Sequence, residues 1–270
     1  MEEKKYLNEL MLDWLAQNPH NSIFDYGHRL LVKSPTGSGK NYFTQHGLID
    51  YVKQHSLRRP EYRKILFISS RNATIEQYRN QLISEYRQGI FKQKIWRIGG
   101  NKTDSIVFGL ETNDWRKADI LYGHKWDLEN NLELMNQIEN SGFIEFIVID
   151  EIHGLSSDDF TTASPTALDF ILTAREDTNI ILMSAITDRL KENILDKYEL
   201  LDFSDKAIKV EPRQIELVQQ KTAQRELAQA SAENKILYFV ETTDKAYQLE
   251  RKYLDMGLRA CAITSKPENR

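Results

Sequence analysis

Apolar positions in this chain fall into short, nearly continuous runs separated by stretches with helical spacing. The runs occupy 30–32, 64–69, 94–98, 120–122, 146–149 and 180–184. They are rich in Ile, Leu, Val and Phe, and they do not alternate apolar with polar. That is the pattern of strands buried on both faces of a parallel sheet. Between them, 74–87 and 128–139 space their apolar residues three and four apart, as amphipathic helices do. Repeated strand–helix alternation predicts crossover units, hence an α/β domain with helices on both faces of a parallel sheet. Ahead of it, Leu7, Leu10, Met11, Trp14 and Leu15 share one helical face, and Asn18-Pro19 ends that segment. It reads as a helix packed on the domain.

Residues 209–234 change character, being polar and rich in Gln and Ala. They read as a linker. A new strand is expected at 235–242, a helix at 244–256 with Gly257 as its C-cap, and a further strand at 260–264. The expected organisation is therefore an N-terminal helical extension (1–27), a first domain (28–208), a linker (209–234) and the start of a second domain (235–270). Strand, helix and strand cannot bury a two-sided sheet. The expectation is a truncated piece, a gene fragment, or a protein completed by a partner chain. On that expectation 235–270 is poorly ordered, docked on the first domain, or paired with another chain.

Composition narrows the class. The 270 residues are 40% hydrophobic and 28% charged, which fits a folded chain rather than a disordered one. No apolar run nears the roughly 20 residues that cross a bilayer, and Met1-Glu2-Glu3-Lys4-Lys5 leads into no signal-peptide core. Cys261 is the single cysteine, so no intramolecular disulfide and no multi-cysteine metal cluster can form. A cytoplasmic protein is the expectation. A net charge of −4 argues against a non-specific nucleic-acid coat. Local basic patches at Arg58, Arg59, Arg63 and Lys64, or at Lys92, Lys94 and Arg97, are either phosphate contacts or ordinary surface charge. Trp96, Trp115 and Trp126 are core residues or base-stacking platforms.

Two segments carry candidate chemistry. The first, Ser34-Pro35-Thr36-Gly37-Ser38-Gly39-Lys40, follows a strand and precedes a helix. Gly37 and Gly39 let such a loop turn its N–H groups onto phosphate oxygens, and the helix N-terminus adds a favourable dipole. Lys40 then reaches the outer phosphates. The usual first Gly is Ser34 here, and the usual magnesium-binding hydroxyl after the Lys is Asn41, itself an oxygen donor. By itself the loop could be a flexible surface turn. The second, Asp150-Glu151-Ile152-His153, ends the buried run 143–149. Carboxyl ends of parallel strands are where such sheets bind ligands. Asp150 there can hold Mg²⁺ and Glu151 can deprotonate water. An acidic helix cap is the alternative for an isolated pair.

Taken together and in order, these residues resemble superfamily 2 helicases of the DEAD/DEAH (DExH) type. Ser34 to Lys40 is similar to their motif I and Asp150 to His153 to motif II. Ser69-Ser70-Arg71 is similar to motif Ia, and 118–124, ending in Gly123-His124, to motif Ic. Ser184-Ala185-Ile186-Thr187 resembles motif III with Ile186 intervening, and Gly99-Gly100 resembles a Gly-Gly element. The segment 239–242 resembles motif IV. The resemblance implies a RecA-like P-loop NTPase domain followed by an incomplete second RecA-like domain. It implies ATP and Mg²⁺ bound by Pro35, Thr36, Gly37, Ser38, Gly39, Lys40 and Asn41, with Asp150 and Asn41 on the metal. Glu151, Asp150, Lys40 and His153 would be catalytic. Ser184, Thr187, Ser70, Arg71, Gly123 and His124 would couple the nucleotide to DNA or RNA. The function implied is ATP-driven strand separation or translocation. A non-unwinding duplex-DNA translocase, or a catalytically weak nucleotide-binding module, are the alternatives. Without the second domain's arginine, the chain is expected to hydrolyse ATP slowly until the rest of that domain or a partner chain completes it. Tyr26 or Arg29 is the expected base-stacking residue.

Overall fold

Seven strands, hydrogen-bonded in parallel throughout, carry the first part of the chain. The computed structural model describes residues 4–17, 27–90, 93–100, 114–156, 163–188, 190, 196–208, 242–257 and 259–261. The strands are β1 (Arg29–Lys33), β2 (Lys64–Ser69), β3 (Ile95–Arg97), β4 (Ile120–His124), β5 (Ile144–Asp150), β6 (Asn179–Ser184) and β7 (Glu199–Asp202). Their order across the sheet is β3-β4-β2-β5-β6-β1-β7. β2, β4, β5 and β6 are buried along their whole length, which is why their sequences are continuously apolar.

Successive side chains of a strand point to opposite faces, and the two faces bury two separate cores. Leu30, Val32, Ile65, Phe67 and Tyr122 enter one, with Leu7, Met11 and Leu15 of α1 (Leu7–Gln17). After the short α2 (Lys40–Tyr42), helices α3 (Leu48–His55) and α4 (Asn72–Arg87) complete that layer through Leu48, Val52, Ile75 and Leu82. Leu31, Leu66, Ile68, Leu121, Ile147 and Ile149 enter the other. There they meet α5 (Lys125–Asn130), α6 (Leu132–Asn140), α7 (Ile152–Ser156) and α8 (Ala163–Leu172). This is the parallel sheet covered on both faces that the pattern predicts, and the RecA-like arrangement that the resemblance implies.

Two elements differ from expectation. The helical stretch at 128–139 is two helices, because Asn131 leaves helical geometry (φ −124°, ψ 24°). α5 also starts earlier. His124 and Asp127 form a reciprocal cap at its first turn, with the His124 N–H donating to Asp127 at 3.0 Å. Strand β7 lies at the sheet edge with only Leu201 buried, so it carries no apolar run to detect. The chain divides into two compact units, Met1–Glu211 and Pro212–Arg270. In the second, helix α9 (Thr243–Asp255) starts on Thr242, whose hydroxyl accepts from the Lys245 N–H at 3.3 Å. It ends at Gly257, with φ 77°. The linker at 209–234 and the strand and motif IV segment expected within 235–242 lie outside the described residues, Thr242 apart. So does the strand expected at 260–264 from Ala262 onward. No helix among the described residues is long and apolar enough to cross a membrane.

Glu145, on β5, is fully buried. Its Oε1 accepts from Ser56 at 2.7 Å, and its Oε2 has no hydrogen-bond partner among the described residues. Burial pushes its carboxyl up to about 7, against the pull of Ser56, Arg58 and Arg63. Between the ordinary carboxylate range and pH 7, the folded chain holds a proton that the unfolded chain has released. Stability therefore falls as pH rises through that window and is flat above it. Glu145→Gln, which can keep an acceptor for Ser56, should raise the melting temperature at pH 8 by several degrees (on the order of 2 kcal/mol) and leave it nearly unchanged at pH 4.5. Equal shifts at both pH values in thermal melts would exclude a charged carboxylate as the cause.

Candidate active site at the carboxyl edge of the sheet

The two sequence motifs meet at the carboxyl ends of β1, β5 and β6. After β1 the chain turns through Ser34 to Gly39 and enters a helix at Lys40. The turn needs left-handed backbone at Gly37 (φ 80°) and Gly39 (φ 95°), which a side chain would strain. The Ser34 N–H donates to Ser184 O of β6 at 3.0 Å. The Ser34 and Ser38 hydroxyls bond to each other at 2.5 Å across the loop, so the residue that replaces the usual Gly closes the turn. Thr36 and Gly37 are exposed at the tip, while Lys40 is buried. Lys40 Nζ donates to Ser34 O and Pro35 O, each at 3.4 Å, and lies 3.6 Å from Glu151 Oε1.

The acidic pair closes β5, where Asp150 sits level with Met183 of β6 and Ser69 of β2. Asp150 is buried, and its Oδ1 has no hydrogen-bond partner among the described residues. Burial, with the Glu151 charge beside it, pushes its carboxyl up to about 6, against the pull of Lys40 and Arg71. A buried carboxylate oxygen without a partner is a costly arrangement, and it is one a hard cation would relieve. Glu151 has φ 54°, an uncommon conformation for a residue with a side chain, found where a site imposes it. That twist leaves Oε1 near Lys40 and Oε2 3.2 Å from His153 Nδ1. His153 Nδ1 also lies 2.9 Å from Ser184 Oγ. The Ser184 hydroxyl donates its only proton to Ile186 O and accepts from the Ile186 N–H. The remaining bond therefore has His153 Nδ1–H donating to Ser184.

The other half of the same edge holds the residues assigned to coupling. Ser70 Oγ donates to Glu151 O at 3.5 Å, and a Cβ on Gly154 would sit 2.6 Å from that hydroxyl. His124 is buried, accepts from the Trp126 N–H on Nδ1, and lies 2.8 Å from Ser70 O through Nε2. That places its proton on Nε2. Burial holds its pKa below the ordinary histidine value. His124 and Ser70 thus support the edge from inside. Gly123 likewise serves packing, since a Cβ there would meet Ile98 at 3.1 Å and Asp127 at 3.2 Å. Arg71 is exposed and in no ion pair among the described residues. Thr187 makes no side-chain hydrogen bond among the described residues; the backbone of Ile186 takes the bonds from Ser184.

Several expectations need correction. Arg29 lies at the amino end of β1 and donates to the carbonyls of Gly27, Thr178 and Arg175. It is on the wrong edge to stack on a base; Tyr26 lies outside the described residues. Lys64 is no surface charge. It is buried, its amine donates to Arg116 O and Ala118 O, and burial lowers its pKa to about 8. Trp96 is buried, and Trp115 packs edge-on against Phe143; Trp126 is exposed. A shallow cavity of about 370 Å³ is lined by Arg58, Arg59, Tyr62, Arg175 and Asp177. It is at the amino edge, and Arg58 and Arg175 there are bound to Asp177 and to backbone carbonyls. The left-handed Glu151 and the Ser34–Ser38 bond were not foreseen. An acidic residue directly after a buried strand, and a hydroxyl four residues from another within a loop, are the signals they leave.

Comparison with known proteins agrees with this geometry. The family model for DEAD/DEAH box helicases matches residues 18–194, more than half of the chain. Among solved structures, a Saccharomyces cerevisiae Dbp5 variant bound to Gle1 and IP6 superposes with a TM-score of 0.50 at 14% identity, over 76% of this chain and 48% of that one. The Pyrococcus furiosus Hef helicase domain gives 0.45 at 15% identity, over 74% of this chain and 38% of that one. No curated protein matches the sequence significantly. The chain spans about half of the Dbp5 chain or less than that of the Hef domain. That family match spans residues 18–194, well over half of the sequence, and the chain therefore belongs to the DEAD/DEAH box helicase family.

Proposed function

We propose that this chain is the ATP-binding part of a nucleic-acid helicase or translocase, coupling ATP hydrolysis to movement on DNA or RNA. One observation carries the reading: Lys40 Nζ is 3.6 Å from Glu151 Oε1, beside a buried oxygen of Asp150 that has no partner among the described residues. A cation from the phosphate loop and the acidic pair of a second strand meet at one edge of the sheet. The N–H groups of residues 35–40 would line the phosphates, and Lys40 would exchange its bonds to Ser34 O, Pro35 O and Glu151 for phosphate oxygens. Asp150 and Asn41 would hold magnesium, which when bound neutralises phosphate charge. Glu151, released from Lys40, is placed to take a proton from water. His153 would then orient Glu151 through Oε2 and pass the state of the site to Ser184. Ser70 would pass it to the nucleic-acid half of the edge. Arg71, exposed on that half, would contact a phosphate of the bound strand.

Three measurements bear on this reading. Lys40→Ala should abolish Mg–ATP binding by calorimetry; unchanged affinity would remove the loop assignment. Glu151→Gln should retain nucleotide affinity within a few-fold and lower turnover by about 10²-fold or more, the scale of a lost general base. Undiminished turnover would exclude Glu151. Arg71→Ala should weaken binding to single-stranded oligonucleotides and reduce the slope of log affinity against log salt by about 1. An unchanged slope would take Arg71 off the strand.

A further inference from the structure

Residues 5–7 form a short strap between the sheet edge and the phosphate loop. At its outer end, Lys5 pairs with Ala207 in a parallel bridge. The Lys5 N–H donates to Lys206 O at 3.1 Å, and the Ile208 N–H donates to Lys5 O at 2.9 Å. At its inner end, the Leu7 N–H donates to Ser38 O at 2.8 Å. Local contacts hold the strap in shape. The Tyr6 N–H donates to Glu9 at 2.9 Å, Lys5 pairs with Asp13 at 2.8 Å, and the Leu7 side chain is fully buried. Helix α1 presses close to the segment after the loop: a Cβ on Gly47 would sit 1.8 Å from Asn8 Oδ1.

The bond to Ser38 has a consequence set by peptide geometry. The Ser38 carbonyl and the Gly39 N–H belong to one planar trans unit, so they point in opposite directions. Gly37 and Gly39 flank Ser38, and glycines leave a peptide plane free to turn. A donor that holds Ser38 O on the α1 side therefore fixes the Gly39 N–H pointing away from α1. We propose that the Leu7 N–H is a positioning group for nucleotide binding. It locks the 38–39 peptide so that the Gly39 N–H is presented to a phosphate oxygen, and the pairing with 206–208 holds Leu7 in place. The inference rests on the phosphate-loop reading above.

The test compares two substitutions at one position. Leu7→Pro deletes the N–H, and proline suits the first position of a helix. It should weaken Mg–ADP binding about tenfold, or about 1.4 kcal/mol, the scale of one net hydrogen bond. Leu7→Ala trims the same buried side chain but keeps the N–H, and it should recover most of that affinity. A purely structural role predicts the reverse order or equal losses, and either result overturns the proposal. The unsubstituted chain supplies a second readout that does not depend on the proline variant folding. Mg–ADP should slow hydrogen exchange at the Leu7 amide by at least several-fold, and exchange unchanged at saturating Mg–ADP overturns the proposal. A chain that binds no Mg–ADP overturns the phosphate-loop reading, and the positioning role with it.

Discussion

Parallel register between β1, β6 and β5 is the constraint on which the rest of this structure depends. It brings three strand ends level: Lys33 stands beside Ser184, and Asp150 beside Met183. From that alignment the phosphate loop leaves one strand while the acidic pair leaves another two positions away in the sheet. Lys40 can then reach Glu151, though the two lie far apart along the chain. A slip of one residue in β5 would turn its side chains to the opposite face. The two layers of helices that bury both faces of the sheet are what make such a slip costly.

Charge is arranged at this edge with little solvent to screen it. Lys40, Asp150 and Glu151 are mostly buried at one edge of the sheet. The lysine offsets one carboxylate, while Asp150 keeps an oxygen without a partner among the described residues and a raised pKa. The strained backbone of Glu151 adds a cost of roughly 1–3 kcal/mol. At Lys64 such a cost is removed by two carbonyls that meet its amine, whereas Glu145 carries a comparable one at the opposite edge. What sets the Asp150–Glu151 edge apart is that a perturbed carboxylate, a strained backbone and a buried lysine occur together, the combination expected of a candidate functional site. β5 also joins the two halves of the edge, because the carbonyl of Glu151 accepts from Ser70 while its side chain meets Lys40 and His153.

The fold class was legible because burial on both faces writes itself into β2, β5 and β6 as unbroken apolar runs. The phosphate loop and the acidic pair were legible because each is local, its chemistry carried by neighbouring residues. Edge strand β7 was not, since a strand with one buried residue has no pattern to show. The division of α5 from α6 was missed because apolar spacing continues across Asn131. The basic residues Arg58, Arg59, Arg63 and Lys64 look alike in sequence, yet they include an Arg bound to carbonyls and a Lys sealed in the core. Charge type is written in sequence, but exposure is a property of what packs above it.

Local order along the chain therefore determined the α/β parallel-sheet class, the phosphate loop with Ser34 and Asn41 in unusual places, and the acidic residues ending β5; the RecA-like arrangement was implied by the resemblance of the motifs. Tertiary structure alone decided that Lys40 faces Glu151, that His153 binds Ser184, that His124 supports Ser70 from inside, and that Leu7 holds Ser38. Each of these joins segments far apart in sequence. Periodicity and spacing report only on neighbours within a few residues, whereas strand register and helix packing choose which distant groups come within bonding distance.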